Sequence, residues 1–423
     1  MRRTSTRRDL NAVVTLAGVL AAGSAAHGAT NMLQRHQTTL RGDFVLIGNT
    51  LGYDAGPVGG GVPVVGSVGA TGLNISENAP DVYWRSNAPV TGQAQANNAL
   101  TAAQARSQAV LNIPPGATIR YARLYWAATA SGAAPDTQVT LSRLGAGGFS
   151  TTVTADAFGV SGVNDAYQST ADVTALVQSA GPGAFQVEDV DIVPWVDLNN
   201  ANVFAGWSMV VVYARPTDPP REIAIHDGIG LVNTASPATA IISRVQPLPP
   251  TGIAARLGVV AYEGDNSNTQ DSCRLNGNGV SDAQNPVGNF FNGTRGFLGL
   301  AATVPGDLPQ MSGAAGSMCG IDIDVVDVTA FAPAQGVATV QFTVNNNSDL
   351  YQSGYVVLST SVPFACVGDL NNDGVVNTAD LALFLGAFGQ TVPAFTGGDL
   401  NGDGVVNTVD LAQFLAAFGS NCP

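Results

Sequence analysis

Basic side chains are scarce in this sequence, and lysine is missing altogether. All 17 basic residues are arginines, they face 31 acidic residues, and the net charge is −14. Because the first 28 residues hold four of the arginines and one aspartate, the rest of the chain carries a net charge of −17. Such a surface repels the phosphates of nucleic acids and of anionic membranes. We therefore expect no nucleic-acid partner.

Histidine is also rare, which restricts the chemistry that the chain can perform. Past residue 28 only His36 and His226 remain, and the sequence has neither an H-E-x-x-H pair nor a G-x-S-x-G turn. These absences argue against a zinc protease and an α/β-hydrolase. A Ser-His-Asp site would depend on His226, whose place between apolar strand residues and Asp227 is more typical of a structural histidine.

Glutamate is the third scarce residue type. Past residue 28 the chain has four: Glu77, Glu188, Glu222 and Glu263. Glycoside hydrolysis requires two carboxyl groups that flank the scissile bond. The best pair is Glu263 with Asp265, which would point the same way on a strand. Because the following Asn266-Ser267-Asn268 suits an Asx-rich turn equally well, the pair is only a weak catalytic candidate.

The first 28 residues have the pattern of an export signal. A basic stretch reaches Arg8, an apolar run covers 10–22, and small residues follow at 25–28. Thr6-Arg7-Arg8-Asp9-Leu10 also resembles a twin-arginine motif, with the general secretory route as the alternative. The apolar run is too short to span a membrane, and no second one follows. We expect a secreted bacterial protein, extracellular or at the cell surface, without a membrane span.

The chain has only four cysteines, which in an exported protein favour two disulfides. Three pairings are open by number alone. Position favours Cys366–Cys422, which bracket the C-terminal end of the chain, and this leaves Cys273–Cys319 in the preceding region. Unpaired buried thiols are the alternative.

The remaining composition favours strands over helices. Stretches of Val, Thr and Ala are broken by 50 glycines and 23 prolines, and the 45% of hydrophobic residues suffices for a sizeable core. Representative predicted strands are 120–126, 138–143, 207–213, 254–262 and 337–344, and the one predicted helix in this part is 171–179. We predict a mainly β protein with one or two β-sandwich domains, divided into regions 29–249 and 250–363.

An eleven-residue segment at 368–378 returns almost unchanged at 398–408. Each copy has oxygen-bearing residues at alternate positions, a glycine at the sixth and an aspartate at the twelfth, which is the pattern of a calcium loop. The predicted ligands of two Ca²⁺ ions are Asp369, Asn371, Asp373, the Val375 carbonyl, Asn377 and Asp380, and Asp399, Asn401, Asp403, the Val405 carbonyl, Asn407 and Asp410. Two loops in tandem argue against an ordinary acidic turn, the alternative for a single one.

An apolar stripe at helical spacing follows each loop. The stripes are Leu381, Phe384, Leu385 and Phe388, and Leu411, Phe414, Leu415 and Phe418. Asn377 or Thr378 can cap the first helix and Gly389 can end it, with Thr408 and Gly419 in the second copy. Helices of this length are unstable alone, so we expect the two apolar faces to pack together.

No helix-forming segment precedes either loop, which distinguishes the repeat from a true EF-hand. Residues 366–423, with repeats at 368–390 and 398–420, resemble a type I dockerin, the calcium-binding half of the dockerin–cohesin pair that attaches bacterial polysaccharide-degrading enzymes to scaffolds. The resemblance implies a cohesin-like domain or another surface scaffold as partner. The contact residues that it implies are Thr378, Ala379, Thr408 and Val409, with Leu385, Gly386, Leu415 and Ala416 nearby. Familiar dockerins carry basic helix residues and this segment has none, so we expect Leu385 and Leu415 to be core residues instead.

A second resemblance covers about residues 115–360. The phrases that carry it are 124–126, 172–177, 205–213, 263–265 and 289–292, which also resemble an uncharacterised secreted β-rich domain of bacterial cell-surface proteins. It implies an extracellular region without naming an activity. Within it lies an acidic cluster of Asp322, Asp324 and Asp327. Solvated strand charge is the first interpretation of this cluster, and a further calcium site is the alternative.

Three functions follow from these patterns. We favour a non-catalytic binding or structural protein that the dockerin-like segment attaches to a scaffold, because the residue sets of common hydrolases are missing. The main alternative is a glycoside hydrolase of polysaccharide catabolism, because dockerins usually occur in polysaccharide-degrading enzymes. The third is an adhesin whose calcium-binding segment meets no cohesin.

Overall fold

A computed structural model describes most of the chain beyond residue 29. It covers residues 30–54, 64–66, 80–86, 94–130, 132, 134–161, 165–195, 203–246, 248–249, 252–264, 266–345, 349–362, 367–371, 373, 375–393 and 395–420. The predicted export signal, Asp265, Cys366 and Cys422 lie outside the described residues.

The described residues form 24 strands, three α-helices and two short 3₁₀ turns at Ala102–Gln104 and Thr329–Phe331. The strands are β1 Thr30–Thr50, β2 Gly52–Tyr53, β3 Val64–Gly66, β4 Val82–Ser86, β5 Ala94–Asn97, β6 Arg106–Leu111, β7 Thr118–Thr129, β8 Gln138–Arg143, β9 Phe149–Thr154, β10 Ala157–Val160, β11 Ala166–Asp172, β12 Gly183–Glu188, β13 Ala205–Ala214, β14 Pro220–Asp227, β15 Leu231–Val232, β16 Ala238–Arg244, β17 Ala255–Tyr262, β18 Asp271–Leu275, β19 Asn278–Gly279, β20 Arg295–Phe297, β21 Leu300–Ala301, β22 Ile321–Asp327, β23 Gly336–Val344 and β24 Tyr351–Ser361. The helices are α1 Thr174–Ala180, α2 Thr378–Ala387 and α3 Thr408–Ala417.

The strands build four layers, which we call sheets 1 to 4. Sheet 1 has the order β3-β5-β4-β6-β12-β8-β9 with β2 beside β4, and sheet 2 has the order β10-β11-β7-β13-β1. Sheet 3 has the order β1-β14-β24-β17-β22-β20-β21 with β15 beside β24, and sheet 4 contains β16, β23, β18 and β19. Most neighbours are antiparallel, as in sandwiches.

Strand β1 connects three of these sheets. Its first residues, 30–32, run parallel to β16 of sheet 4. Residues 33–41 pair with β14 of sheet 3, and residues 42–50 pair with β13 of sheet 2. Gly42, at φ 146°, marks the change of partner; a side chain there would meet the carbonyl oxygen of Tyr213 at 2.0 Å.

Three apolar layers fill the spaces between successive sheets. One lies between sheets 1 and 2, one between sheets 2 and 3, and one between sheets 3 and 4. Strand β13 is apolar throughout because both of its faces are buried. Trp207 and Met209 face sheet 1, whereas Val210 and Val212 face sheet 3. Sheets 2 and 3 are thus buried on both faces.

This architecture confirms a mainly β fold with a small C-terminal helical segment. All five representative runs form strands, namely β7, β8, β13, β17 and β23. The predicted helix 171–179 is α1, which begins later because residues up to Asp172 still belong to β11 and the Asp172 side chain accepts a hydrogen bond from the Thr174 N–H.

The predicted division at residue 249 runs through sheets 3 and 4. Strands β14 and β16 precede that residue, and they pair with β24 and β23, which follow it. Both sides of the division therefore contribute to the same two sheets.

The predicted Cys273–Cys319 disulfide is absent, and both residues are buried thiols. Cys273 lies on β18, opposite Phe342 in sheet 4, and packs in the layer between sheets 3 and 4. The Cys319 carbonyl instead accepts a hydrogen bond from the Thr50 hydroxyl, at the end of β1 that belongs to sheet 2. The two thiols therefore occupy different parts of the fold.

None of the helices among the described residues is long and apolar enough to cross a membrane.

Candidate metal centre

The first repeat brings three carboxyl groups together. One oxygen each of Asp369, Asp373 and Asp380 lies within 4.8 Å of the other two. Asp380 is the third residue of α2, and its Oδ2 accepts from the Asn377 N–H at 2.9 Å. The Asn377 side chain in turn caps α2 by accepting from the Ala379 N–H at 2.7 Å. The start of the helix therefore fixes the last predicted ligand of the loop.

Asp380 also closes the loop from the other side. Its Oδ1 accepts from the N–H groups of Leu370 and Asn371, at 2.8 and 3.0 Å. One buried carboxylate thus links the first residues of the loop to the first turn of α2, and its Oδ2, which accepts one N–H, retains a further lone pair.

The second repeat reproduces this arrangement. Asp399, Asp403 and Asp410 meet the same 4.8 Å limit. Asp410 Oδ1 accepts from Leu400 and Asn401 at 2.7 and 3.0 Å, and its Oδ2 accepts from Asn407 at 2.9 Å. Gly404, the predicted sixth residue, has a φ of 84°, which a residue with a side chain rarely adopts.

The electrostatics of both triads favour a cation. Two carboxylates of each triad are buried, and residues 366–423 contain no lysine, arginine or histidine. In each loop the side-chain amide of a neighbouring asparagine, followed by a backbone N–H, lowers the pKa of the exposed Asp373 and Asp403, so both stay ionised. Like charges this close repel one another unless a cation lies between them. Oxygen-only donors suit a hard divalent ion such as Ca²⁺, so the residues fit the predicted metal.

The other predicted ligands lie in the same loops but bond within them. Asn371 Nδ2 donates to Asp373 Oδ2 at 2.9 Å, and Asn377 Nδ2 donates to the Val375 carbonyl at 3.2 Å. In the second copy, Asn401 and Asn407 make the equivalent bonds to Asp403 and the Val405 carbonyl. The structure therefore brings the three carboxylates of each loop together, and ligation by the amide and backbone oxygens stays a prediction.

The two loop–helix units hold one another in a reciprocal arrangement. After α2, the Gly389 N–H donates to the Val406 carbonyl at 2.7 Å, and after α3 the Gly419 N–H donates to the Val376 carbonyl at the same distance. The rings of Phe384 and Phe414 lie 5.4 Å apart in a shared core. Each helix thus packs on its partner and ends on the loop of the other copy.

The predicted apolar stripes are only partly buried. Phe384 and Phe414 are buried, but Leu385 and Leu415 are each 57% exposed, so the expectation that they are core residues is wrong. The predicted contact residues Thr378, Ala379, Thr408 and Val409 are all exposed. A ten-residue helix that packs on a single partner buries only one narrow face. The residue after each buried phenylalanine, Leu385 or Leu415, lies outside that face and is exposed to solvent.

No sequence pattern indicates a role for Arg41, yet its side chain reaches from β1 to the repeat. Its Nη1 donates to the Asp218 carbonyl at 3.2 Å and to the Phe395 carbonyl at 3.4 Å. Burial lowers the pKa of Arg41 to about 10, and the nearby Asp369 carboxylate opposes this shift. A pocket of about 460 Å³ adjoins this contact, between Pro216 and the α2 residue Leu383.

The catalytic candidates do not form an accessible pair. Glu263 is buried, and Asp265 lies outside the described residues. His226 is buried in β14, where desolvation lowers its pKa to about 4, and its Nδ1 has no hydrogen-bond partner. The adjacent Asp227 is engaged by Arg35 at 2.6 Å and by the Tyr125 hydroxyl at 3.0 Å, which indicates a structural role for this segment.

Comparisons with known proteins identify no family. No family model matches the sequence, and no curated protein matches it. Among solved structures, the chain is similar to PNGF-II, with a TM-score of 0.21 and 10% identity over 76% of this chain and 66% of that one. It is also similar to PNGase F, a glycosylasparaginase from Flavobacterium meningosepticum, with a TM-score of 0.19 and 12% identity over 61% and 89%. A third structure, BuGH86wt in complex with neoagarooctaose, gives 0.18 and 11% over 58% and 32%.

The chain spans just under two thirds of the length of PNGF-II and about one third of that of BuGH86wt. TM-scores near 0.2 do not establish a common fold, so no activity passes from these proteins to this chain.

Proposed function

We propose that this chain is a secreted calcium-binding protein whose C-terminal repeat attaches its β-rich region to a partner protein. The observation that carries the proposal is the pair of aspartate triads, each with oxygens within 4.8 Å and neither with a basic residue in its own repeat. The export signal read in residues 1–28 supports secretion, into a compartment where calcium is plentiful.

One Ca²⁺ per loop neutralises most of the charge of each triad and holds the two helices in place. Each helix has only ten residues, too few for stability in isolation, and each is capped by an asparagine whose backbone N–H donates to the aspartate that closes the loop. Removing the ion leaves three carboxylates to repel one another at the point where the helix begins. Calcium binding and helix formation are therefore one coupled equilibrium.

The partner is a cohesin-type domain on a scaffold or cell surface. The exposed pairs Thr378-Ala379 and Thr408-Val409 open the two helices at equivalent positions, and Leu385 and Leu415 add exposed apolar area to the same helices. Small polar and apolar residues of this kind suit the centre of a protein interface, where charged side chains are depleted. The resemblance of residues 366–423 to type I dockerins supplies the class of partner.

The β-rich region has a binding or structural role in this proposal. Glu263 is 8% exposed, which keeps it from a polysaccharide substrate that needs an open cleft with two carboxyl groups. Glu222 is likewise buried, where it accepts from Gln37 at 2.7 Å and pairs with Arg244 at 3.3 Å.

Calcium titration of the full-length chain tests the proposal. Isothermal calorimetry should detect two loop sites, and the double variant Asp373→Ala/Asp403→Ala should weaken both by at least tenfold, because each loop loses a charged ligand. Asp327→Ala is the matched control, since Asp327 is an exposed carboxylate that accepts a backbone N–H two residues on, as Asp373 does. Unchanged calorimetric sites in the double variant would contradict the proposal.

Partner binding has a separate test. A recombinant cohesin-type domain should bind the calcium-loaded chain and release it with EDTA. Replacing Thr378 and Thr408 by Arg should weaken binding at least tenfold if the helix starts form the interface, whereas the controls Thr339→Arg and Thr343→Arg on sheet 4 should not. Equal weakening by both pairs would place the interface elsewhere.

A further inference from the structure

A second set of buried carboxylates lies inside the β-rich region, away from the repeat. Asp271 belongs to β18 of sheet 4, and Asp322 and Asp324 belong to β22 of sheet 3. All three are fully buried. The expectation of solvated strand charge is wrong for Asp322 and Asp324 and holds only for the exposed Asp327.

Successive side chains of β22 point to opposite faces of sheet 3, and this explains why Asp322 and Asp324 are buried. Ile321 and Ile323 pack in the layer between sheets 2 and 3, so Asp322 and Asp324 point to the opposite face, towards sheet 4. Asp271 enters the same space from the facing sheet. Burial above all, then the charge of Asp324 and to a smaller extent that of Asp271, raises the pKa of Asp322. Two sheets therefore direct acidic side chains into one apolar layer.

The segment 290–294 is wrapped around two of these carboxylates. Asp271 Oδ1 accepts from the N–H groups of Phe290 and Phe291, at 2.6 and 2.8 Å. Asp322 Oδ1 accepts from the N–H groups of Gly293 and Thr294, at 2.8 and 3.1 Å. Each carboxylate thus uses one oxygen to hold two consecutive backbone N–H groups.

The other oxygen of each of these two carboxylates makes no hydrogen bond. Asp271 Oδ2 and Asp322 Oδ2 are buried and have no hydrogen-bond partner, and the same is true of Oδ1 of Asn292, a residue that is 2% exposed. Its amide group is fixed, because Asn292 Nδ2 donates to the Gln284 carbonyl at 3.0 Å. The buried segment therefore contributes an unsatisfied oxygen of its own, independent of the aspartates.

A backbone oxygen lies within 5.0 Å of Asp322 Oδ2. A Cβ added to Gly264 would lie 2.3 Å from Asp322 Oδ2 and 2.7 Å from the Phe291 carbonyl oxygen, so these two oxygens are at most 5.0 Å apart. Two ligands of one Ca²⁺, each 2.3–2.6 Å from the ion, are separated by no more than about 5 Å. The backbone of Gly264 packs against Asp322, and a residue with a side chain at this position would clash with Asp322 Oδ2.

No positive charge compensates these groups. Among the ion pairs of the described residues, none involves Asp271, Asp322 or Asp324. Burial raises the pKa of Asp271 to about 7 and that of Asp324 to about 8. A proton would neutralise only the single carboxylate that carries it, whereas one divalent ion neutralises two carboxylates and also binds neutral oxygens. An ion can bridge oxygens that lie farther apart than a hydrogen bond reaches.

We propose that Asp271, Asp322, Asn292 and the Phe291 carbonyl hold one Ca²⁺ ion inside the β-rich region, separate from the two ions of the C-terminal repeat. The ion fixes the segment 290–294 between sheets 3 and 4. Because its ligands are enclosed, it exchanges slowly and acts as a permanent structural ion, whereas the ions of the exposed loops exchange with solvent.

The test is the calcium content of the full-length protein after gel filtration in calcium-free buffer, measured by atomic absorption and native mass spectrometry. The variant Asp373→Ala/Asp403→Ala should retain one calcium per chain. Adding Asp322→Asn to it should reduce this to zero, while adding Asp327→Asn on the same strand should leave it at one. Zero calcium in the folded loop variant, or one calcium after Asp322→Asn, would overturn the proposal.

Two measurements keep the result decisive if Asp322→Asn fails to fold. The first is the wild-type count at saturating calcium, for which three ions support the internal site and two refute it; if the loops bound nothing, the internal site alone would give one. The second is terbium luminescence of the loop variant, incubated with excess terbium until the slowly exchanging internal calcium has been replaced. The Tyr351 ring lies 4.6 Å from the Phe291 ring, near enough to sensitise an ion at this site. The signal should be weaker in Tyr351→Phe than in the loop variant itself, and an unchanged signal would place the ion elsewhere.

Discussion

The packing of Phe384 against Phe414 can be tested by truncating one ring. The six buried residues of the repeat are Phe384, Phe414, Phe395 and the aliphatic Val376, Leu400 and Val406, so a lost ring leaves a cavity in a small core. Phe→Ala in a core costs about 3–5 kcal/mol. Since about 1.4 kcal/mol corresponds to a factor of ten, the population of the open form should rise roughly a hundredfold to several thousandfold.

Hydrogen–deuterium exchange of the full-length, calcium-loaded chain is the suitable assay, because peptides from α2 and α3 are resolved from the large β-rich region. Phe384→Ala should lower the protection of both helices, since they share one core and end on one another's loops. Leu385→Ala is the matched control: the neighbouring residue on the same helix is 57% exposed, and its truncation should change protection by less than tenfold. If the two variants behaved alike, or if α3 kept its protection in Phe384→Ala, the shared core would be refuted.

Three further predictions concern the β-rich region. Glu263→Gln should leave the release of reducing sugar from plant and algal glycans unchanged, because the carboxylate is buried; a release that the mutation abolishes would establish a glycosidase. Unfolding without reductant should expose Cys273 and Cys319 to alkylation, which adds two labels in the intact mass, whereas the folded chain should react at neither; no added label after unfolding would indicate a disulfide. The folded pKa of His226, about 4, lies below its usual 6.5, so the unfolded state takes up a proton first and stability is lost as the pH falls from 6.5. Urea unfolding at pH 7 and pH 5 should reveal a loss of about 2 kcal/mol in the wild type relative to His226→Gln, and equal pH dependence would contradict a buried neutral imidazole.

The two aspartate triads could be located from sequence because their residues lie close together in the chain. All predicted ligands of one loop lie within twelve consecutive residues, and the last of them, Asp380, is the third residue of the helix that follows. Strands such as β8 and β13 were found for a similar reason, since a run of alternating or continuous apolar residues of that length has few alternatives. Which strands pair with one another cannot be predicted from such local patterns, because the partners lie far apart in the chain.

The features that escaped prediction depend on what lies opposite in space. The segment Ile321-Asp322-Ile323-Asp324 alternates apolar and acidic residues, which is typical of a strand with one face in water. Here sheet 4 covers the acidic face, so both aspartates are buried. Leu385 satisfies helical spacing as well as Phe384 does, but a single neighbouring helix covers only one of them. Arg41 has no local signal at all, because its partners Asp218 and Phe395 come from distant parts of the chain.

The path of β1 through three sheets also determines when the β-rich region can fold. Its pairing partners lie at residues 206–240, and sheet 3 lacks a central strand until β24, at Tyr351–Ser361, is available. Such distant pairings make folding slow, because long loops must close before their contacts form. About 240 residues must therefore emerge before β1 finds its partners, and nearly the whole chain before sheet 3 is complete, whereas the core of the C-terminal repeat forms from residues that lie within some fifty positions of one another.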